Sequence, residues 1–417
     1  MPIPNLQLVA LFLLSTSLCP PGETAQQPSA ADAPDWPAVI AKLRQQLDGM
    51  SERAAVREQL AVAYNNYAVS LADQGRLDDA VRQLEEAVHI DPSSVQFRNN
   101  LALIHLKAAQ TAYQAHQTQR AKQALDRAIA AMPTLADAYV LLGELEYNSQ
   151  RLKEAEAAWQ KALTLDSTRL DVRKKLERLS QERPVESQFE KLSQLYFDIR
   201  YTEGLARSAG FDIQEALLKA RREVGSDFAC RPTQKLVVLV YSTEQFRRLR
   251  QDTPEWVGGQ YDGKIRVPLP SQEFDRARVT RILFHEYTHV VIHELTGDRL
   301  PTWFNEGLAE YEAWKGETPP WSLLRQALAK GRLIPWADLS TQLSPSRSAQ
   351  EAALAYEQSH SIARYLVQRY SFWRIKQLLK TVAAGTSLEE ALPAQFHLKQ
   401  SRLEENWLTW LRETLAS

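Results

Sequence analysis

Residues 281–311 read RILFHEYTHVVIHELTGDRLPTWFNEGLAEY. His285 and His289 are four residues apart. On a helix they stack on one face and can both aim an imidazole nitrogen at one ion. Glu286 sits about a quarter turn from His285. It is badly placed to bind the same ion but can reach a water on the ion's open side. Zinc brings the pKa of such a water toward neutrality, and a carboxylate can then take its proton. Ile282, Leu283, Phe284, Tyr287, Val290, Val291, Ile292 and Leu295 leave this segment almost no polar face, which predicts a buried helix. Two histidines and a glutamate inside such a helix need partners. A zinc ion would serve all three; packed core histidines held by Tyr and Glu are the alternative. Gly297 is a stop signal for the helix.

A catalytic zinc takes three protein ligands and keeps one position open. The third ligand is expected from a second helix, entered through Pro301 and Trp303. Glu306 falls in its first turn and Glu310 follows at i+4 on the same face. Glu306 is therefore assigned to the metal. Glu310 is assigned to accept the free N–H of a ligand histidine.

These residues resemble the gluzincin metallopeptidases, the H-E-x-x-H enzymes with a downstream glutamate ligand. The stretch Trp303-Phe304-Asn305-Glu306-Gly307-Leu308-Ala309-Glu310-Tyr311 is similar to the W-x-N-E-G-x-A-x-Y element of aminopeptidase N-type and peptidase-MA-like domains. In those families the Glu of N-E-G binds zinc, which the resemblance carries to Glu306. The gap from His289 to Glu306 is slightly shorter than in the aminopeptidases, which favours the peptidase-MA-like branch. Residues 355–361, AYEQSHS, resemble the element that carries the oxyanion donor in this group. By that resemblance Tyr356 is the candidate donor to the developing negative charge, with His360, one turn on, as the alternative.

The chain has 417 residues and a formal net charge of -1. That length implies two or three domains, and without a basic cluster interleaved with aromatics no nucleic-acid partner is expected. There are two cysteines. Cys19 lies in the leader, so the rest of the chain holds only Cys230, with no internal disulfide. Nothing near Cys230 in sequence activates a thiolate, and it reads as a structural thiol.

Residues 1–25 read as a signal peptide whose apolar run, 6–18, is too short for a confident transmembrane span. Export to a periplasmic or secreted location is expected, with no other membrane span. Residues 26–37 are a linker rich in Pro, Ala, Ser and Gln.

Residues 38–183 read as helical throughout, and they repeat. Ala80, Ala87 and Pro92 recur as Ala121, Ala128 and Pro133, then as Ala155, Ala162 and Ser167, at spacings of 41 and 34 residues. Asn65-Asn66 matches Asn99-Asn100 in the same frame. A helix-turn-helix period of 34 with small residues at these places resembles the tetratricopeptide repeat. Leu84, Leu125 and Trp159 would fill the space between repeats. The seven extra residues of the second unit, near 107–116, are read as two more helical turns, and residues 169–182 as the capping helix. The module is either a scaffold or a concave groove for a partner or a substrate's tail. His89, His105 and His116 read as surface or packing residues rather than ligands.

Residues 182–187 (ERPVES) mark the expected boundary, and residues 187–417 the second domain. Residues 189–201 suggest a strand, 212–225 an amphipathic helix, and 235–241 (KLVVLVY) a buried strand followed by a helix capped at Ser242-Thr243. Residues 264–268 read as an edge segment that, by resemblance to gluzincins, would pair with an extended substrate. Residues 314–320 read as a loop.

The expected architecture is mostly α with a small α+β part: an N-terminal α-solenoid followed by a zincin-like metallopeptidase domain with a small mixed sheet. The leading function is zinc-dependent peptide-bond hydrolysis, with a peptide or protein as substrate. Two others stay open: a non-catalytic interaction protein with a structural or vestigial zinc site, and a zinc hydrolase acting on something other than peptides.

Overall fold

A computed structural model describes residues 34–49, 53–202, 207–250, 260–269, 275–317, 319–344 and 347–416. The expected signal peptide and the linker up to residue 33 lie outside the described residues. The chain divides after Leu179 into two compact units.

The first unit is a run of helices: α1 (Trp36–Gly49), α2 (Arg53–Asp73), α3 (Leu77–Ile90), α4 (Val95–Gln114), α5 (Thr118–Ala131), α6 (Ala136–Asn148), α7 (Leu152–Leu165) and the first part of α8 (Leu170–Glu186), whose residues from Ser180 on belong to the second unit. Helix α2 packs on α3, α4 on α5 and α6 on α7, and each pair touches the next. Ala80, Ala87, Ala121, Ala128, Ala155 and Ala162 are all fully buried. A methyl is the largest group that fits where two helix backbones approach this closely, and Leu84, Leu125 and Trp159 fill the wider spaces. Gly143 takes the logic one step further, since a Cβ there would lie 2.3 Å from the Trp159 ring. Asn100 Nδ2 donates to Asn65 Oδ1 at 2.7 Å, so one asparagine of each matched pair is satisfied across α2 and α4. The long second unit is explained by α4, which has 20 residues against 13 in α6. The turns inside the three pairs each hold one left-handed residue, Gly75, His116 and Gln150, at the 41- and 34-residue spacings of the alanines. His105 is buried in α4, and burial, helped by Arg127, lowers its pKa to about 4.

The second unit is built on a mixed sheet of five strands in the order β1-β2-β3-β5-β4. The strands are β1 (Glu190–Ser193), β2 (Phe197–Tyr201), β3 (Leu236–Ser242), β4 (Gln260–Tyr261) and β5 (Ile265–Leu269). β2, β3 and β5 run parallel; β1 and β4 are antiparallel additions at the two sides. Phe197, Ile199, Val238, Val240, Ile265 and Val267 line one face and enter the main core. Val237, Leu239 and Tyr241 alternate to the other face.

Nine helices of this unit are described: α9 (Arg207–Asp227), α10 (Thr243–Leu249), α11 (Arg276–Thr296), α12 (Thr302–Ala313), α13 (Ser322–Ala329), α14 (Leu339–Gln342), α15 (Ala349–Ala383), α16 (Leu388–Phe396) and α17 (Gln400–Ala416). Helix α11 packs on α9, α12 and α15 and reaches β4 and β5. Asp275 caps its start by accepting from the Arg278 N–H at 3.0 Å, and Gly297 ends it in the left-handed conformation. Trp303, Trp336 and Trp407 are buried together beyond α12.

Several local expectations need correction. The strand expected over 189–201 is a hairpin, β1 and β2. The two units divide after Leu179, just before the ERPVES stretch. Helix α8 nevertheless runs on through Pro184 to Glu186, its last turn held by residues of β3 and the C-cap of α10. Glu182 pairs with Arg250 at 2.6 Å, and the Tyr241 hydroxyl donates to Glu186 at 2.5 Å. The expected edge segment is an edge only in part. β5 lies between β3 and β4, whose ladder covers Ile265 and Arg266. Lys264 and Arg266 are fully buried, and Arg266 pairs with Asp262. A buried cation needs such partners, and nothing in the local pattern distinguishes it from an exposed one.

Candidate metal centre

Helices α11 and α12 are joined by a short turn through Gly297 and Pro301, which lays the start of α12 against the middle of α11. The close approach of α12 to α15 depends on Gly307: a Cβ there would sit 2.5 Å from the backbone oxygen of Ser359. With no side chain at 307, its neighbour Glu306 is carried toward the histidines of α11.

The result is a three-donor cluster. His285 Nε2 and His289 Nε2 are 3.0 Å apart. Glu306 Oε2 lies 3.2 Å from the first and 3.5 Å from the second. His285, His289 and Glu306 are the described group able to hold a metal ion. Donors bound to one tetrahedral zinc at ordinary bond lengths are separated by about 3.3 Å, so the spacing fits. The side chains keep 16%, 12% and 16% of their surface, which leaves the group approachable from solvent.

Each donor is oriented from behind. His285 Nδ1 lies 3.0 Å from Glu310 Oε1, and His289 Nδ1 lies 3.0 Å from Asn305 Oδ1. A proton on each Nδ1 leaves each Nε2 lone pair facing the cluster. Burial disfavours the charged imidazoles, yet the carboxylates more than offset it: Glu306 and Glu310 hold His285 well above its usual pKa, and Glu306 raises that of His289. Burial works against the Glu306 carboxylate as well, but the two histidines hold it far below the carboxylate range.

Glu286 is 3% exposed, and its Oε2 has no hydrogen-bond partner within the protein. Burial raises its pKa, against the pull of His285 and His289. A buried carboxylate oxygen beside a metal-ligand cluster is suited to exchange a proton with a molecule entering from outside.

Tyr356 and His360 both lie inside α15. Burial, then the charges of Glu306, Glu310 and Glu286, pushes the Tyr356 hydroxyl well above its usual pKa, and the hydroxyl hydrogen-bonds to Glu306. His360 is 2% exposed, its ring meets Trp321 edge-on at 5.2 Å, and of the charges around it Glu310 acts on it most. Burial lowers its pKa to about 4. The two candidates therefore occupy different places, Tyr356 at the ligand Glu306 and His360 at Glu310.

Asn305 was not singled out from the sequence, although it stands in the quoted N-E-G element. Cys230 is half-buried, and burial, helped by Glu294, raises its thiol to about 11; it is inert and outside the cluster.

The Peptidase MA superfamily model matches residues 212–413. Two repeat models match upstream, TPR repeat over 70–108 and Tetratricopeptide repeat over 106–169. The chain thus carries a Peptidase MA superfamily domain after tetratricopeptide repeats. Among solved structures it is similar to the first TPR of Spaghetti (RPAP3) bound to the HSP90 peptide SRMEEVD, at 20% identity and TM-score 0.23, covering 30% of this chain and 95% of that one. The first TPR domain of human RPAP3 matches at 19% identity and TM-score 0.22, covering 30% and 92%. MamA matches at 21% identity and TM-score 0.23, covering 36% and 80%. No curated protein matches the sequence.

Proposed function

We propose that this protein is an exported zinc metallopeptidase, with a repeat module over 38–183 that holds a protein partner or part of the substrate, and a catalytic domain over 187–417. The observation that carries the reading is the donor triangle of His285, His289 and Glu306, with separations of 3.0, 3.2 and 3.5 Å beside the unpartnered oxygen of Glu286.

His285, His289 and Glu306 would hold the zinc, with Glu310 and Asn305 keeping the two imidazoles in the ligand tautomer. When bound, zinc supplies Lewis acidity and brings the pKa of a water toward neutrality. Glu286 would take the proton of the attacking water and return it to the leaving amine nitrogen. Tyr356 donates its hydroxyl to the oxyanion that forms; His360, set beside Glu310, is the weaker candidate. The strand edge beyond the β4 ladder, at Val267–Leu269, is the place for an extended substrate. Among the described residues no helix is long and apolar enough to cross a membrane.

Metal content by mass spectrometry tests the centre, with wild type beside Glu306→Ala and both purified without added metal and then offered zinc. The expected result is one zinc per wild-type chain and none in the variant. A wild-type chain that takes up no zinc when offered it would sink the reading in favour of a non-catalytic interaction protein. Zinc retained without cleavage of any member of a peptide library would point to a non-peptide substrate or a structural site.

A further inference from the structure

Trp314, expected in a loop, closes α12 as its C-cap. Its indole N–H donates to Glu310 Oε2 at 3.1 Å. The other oxygen of that carboxylate lies 3.0 Å from His285 Nδ1. Glu310 is thus gripped at both oxygens, by the ligand histidine on one side and the indole on the other. The ring is itself held. Arg281, one turn before His285 on α11, lies over it at 4.8 Å and also pairs with Glu317 at 3.3 Å. Trp314 is half-buried, unlike Trp303 and Trp336 at 6% and 2% exposed, so burial of apolar area is not its main contribution.

An indole N–H can only donate. It accepts no proton, so toward it Glu310 Oε2 is held as an acceptor. A carboxylate free to rotate about its last bond would spend part of its time away from Nδ1, and the proton on His285 could then move to Nε2, the nitrogen needed for the metal.

We propose that Trp314 is a positioning residue of the metal centre, locking Glu310 so that His285 keeps its proton on Nδ1 and presents Nε2 to the ion. This rests on the metal-centre reading above. The test is zinc affinity of the full chain, measured by competition with a chromophoric chelator. Trp314→Phe keeps the ring and its cover by Arg281 but removes the N–H. The dissociation constant is expected to rise about 3–10-fold, less than the roughly 10–100-fold typical of residues that touch a ligand directly. In a Glu310→Ala background the same substitution should change nothing further, a result that a merely structural role would not produce. Unchanged affinity in Trp314→Phe, or an equal loss in both backgrounds, overturns the proposal and leaves the metal-centre reading standing. A wild type that binds no zinc overturns both. If Trp314→Phe does not fold, Arg281→Gln, which uncovers the ring but leaves the indole, should weaken zinc in the same direction and by less; unchanged affinity there also overturns the proposal.

Discussion

Ala80, Ala121 and Ala155 stand at equivalent helix-packing positions of the first unit, fully buried and with nothing polar to satisfy. His285, Glu286 and His289 stand on an equally buried helix of the second unit, and their polar atoms depend on one another. One unit is held by small residues repeated along the chain. The other gathers two histidines and several carboxylates into one cluster able to hold an ion. Buried polar groups cost stability unless they are partnered. The second unit should therefore respond to metal, which the first should not.

The largest effect expected is on chemistry. Glu286→Gln keeps the shape and the three donors but removes the proton acceptor. Hydrolysis of any wild-type substrate should fall by roughly 10²–10⁴-fold with zinc content unchanged. Full activity in that variant would end the mechanism. Chelation comes next. Zinc at about 100–1,000 times its dissociation constant stabilises by about 3–4 kcal/mol, so a strong chelator should lower the melting of the second unit while the repeat unit, expressed alone or followed by a probe on Trp159, stays put. Equal shifts in both would mean that the metal is not confined to the cluster.

Two glycines sharpen the contrast. Gly307→Ala pushes a methyl against the backbone of Ser359, and Gly143→Ala pushes one against the Trp159 ring. Each should cost about 1–3 kcal/mol, read as denaturant midpoints. Only Gly307→Ala should also weaken zinc, because only there does the helix spacing set the donor triangle. Zinc affinity lost in Gly143→Ala instead would show that the units do not behave independently.

The smallest effect concerns Glu312, 1% exposed, whose pKa is raised to about 8 by burial and then by Glu223. Lys315 approaches it at 3.6 Å but is also paired with Asp227. The folded chain keeps the Glu312 proton to higher pH than the unfolded chain, whose value is 4.5. Unfolding therefore releases a proton between pH 5 and 8, and stability falls as pH rises through that window, by about 1 kcal/mol per pH unit. Glu312→Gln should flatten that slope in urea midpoints taken at pH 6, 7 and 8. Parallel profiles for variant and wild type would mean that Glu312 is ionised in the fold.

Local rules carried much of this protein. The four-residue spacing of His285 and His289 is a property of any helix, so their shared face was legible before any tertiary contact was known. The alanine period was legible for the same reason, since each repeat meets only its neighbours and writes its packing into adjacent sequence. Ser242 and Gly297 act within one turn and could be read directly. Tertiary structure alone decided what depends on elements distant in sequence. It buried Lys264 and Arg266 within the sheet, and it carried α8 through Pro184 to meet Arg250 and Tyr241. It also separated Tyr356, beside Glu306, from His360, beside Glu310, and turned Trp314 from a loop residue into the donor behind Glu310. Periodicity reports which side of an element is apolar. It carries no record of which charge on another element will be waiting there, and at a site made from α11, α12 and α15 that second piece of information sets the chemistry.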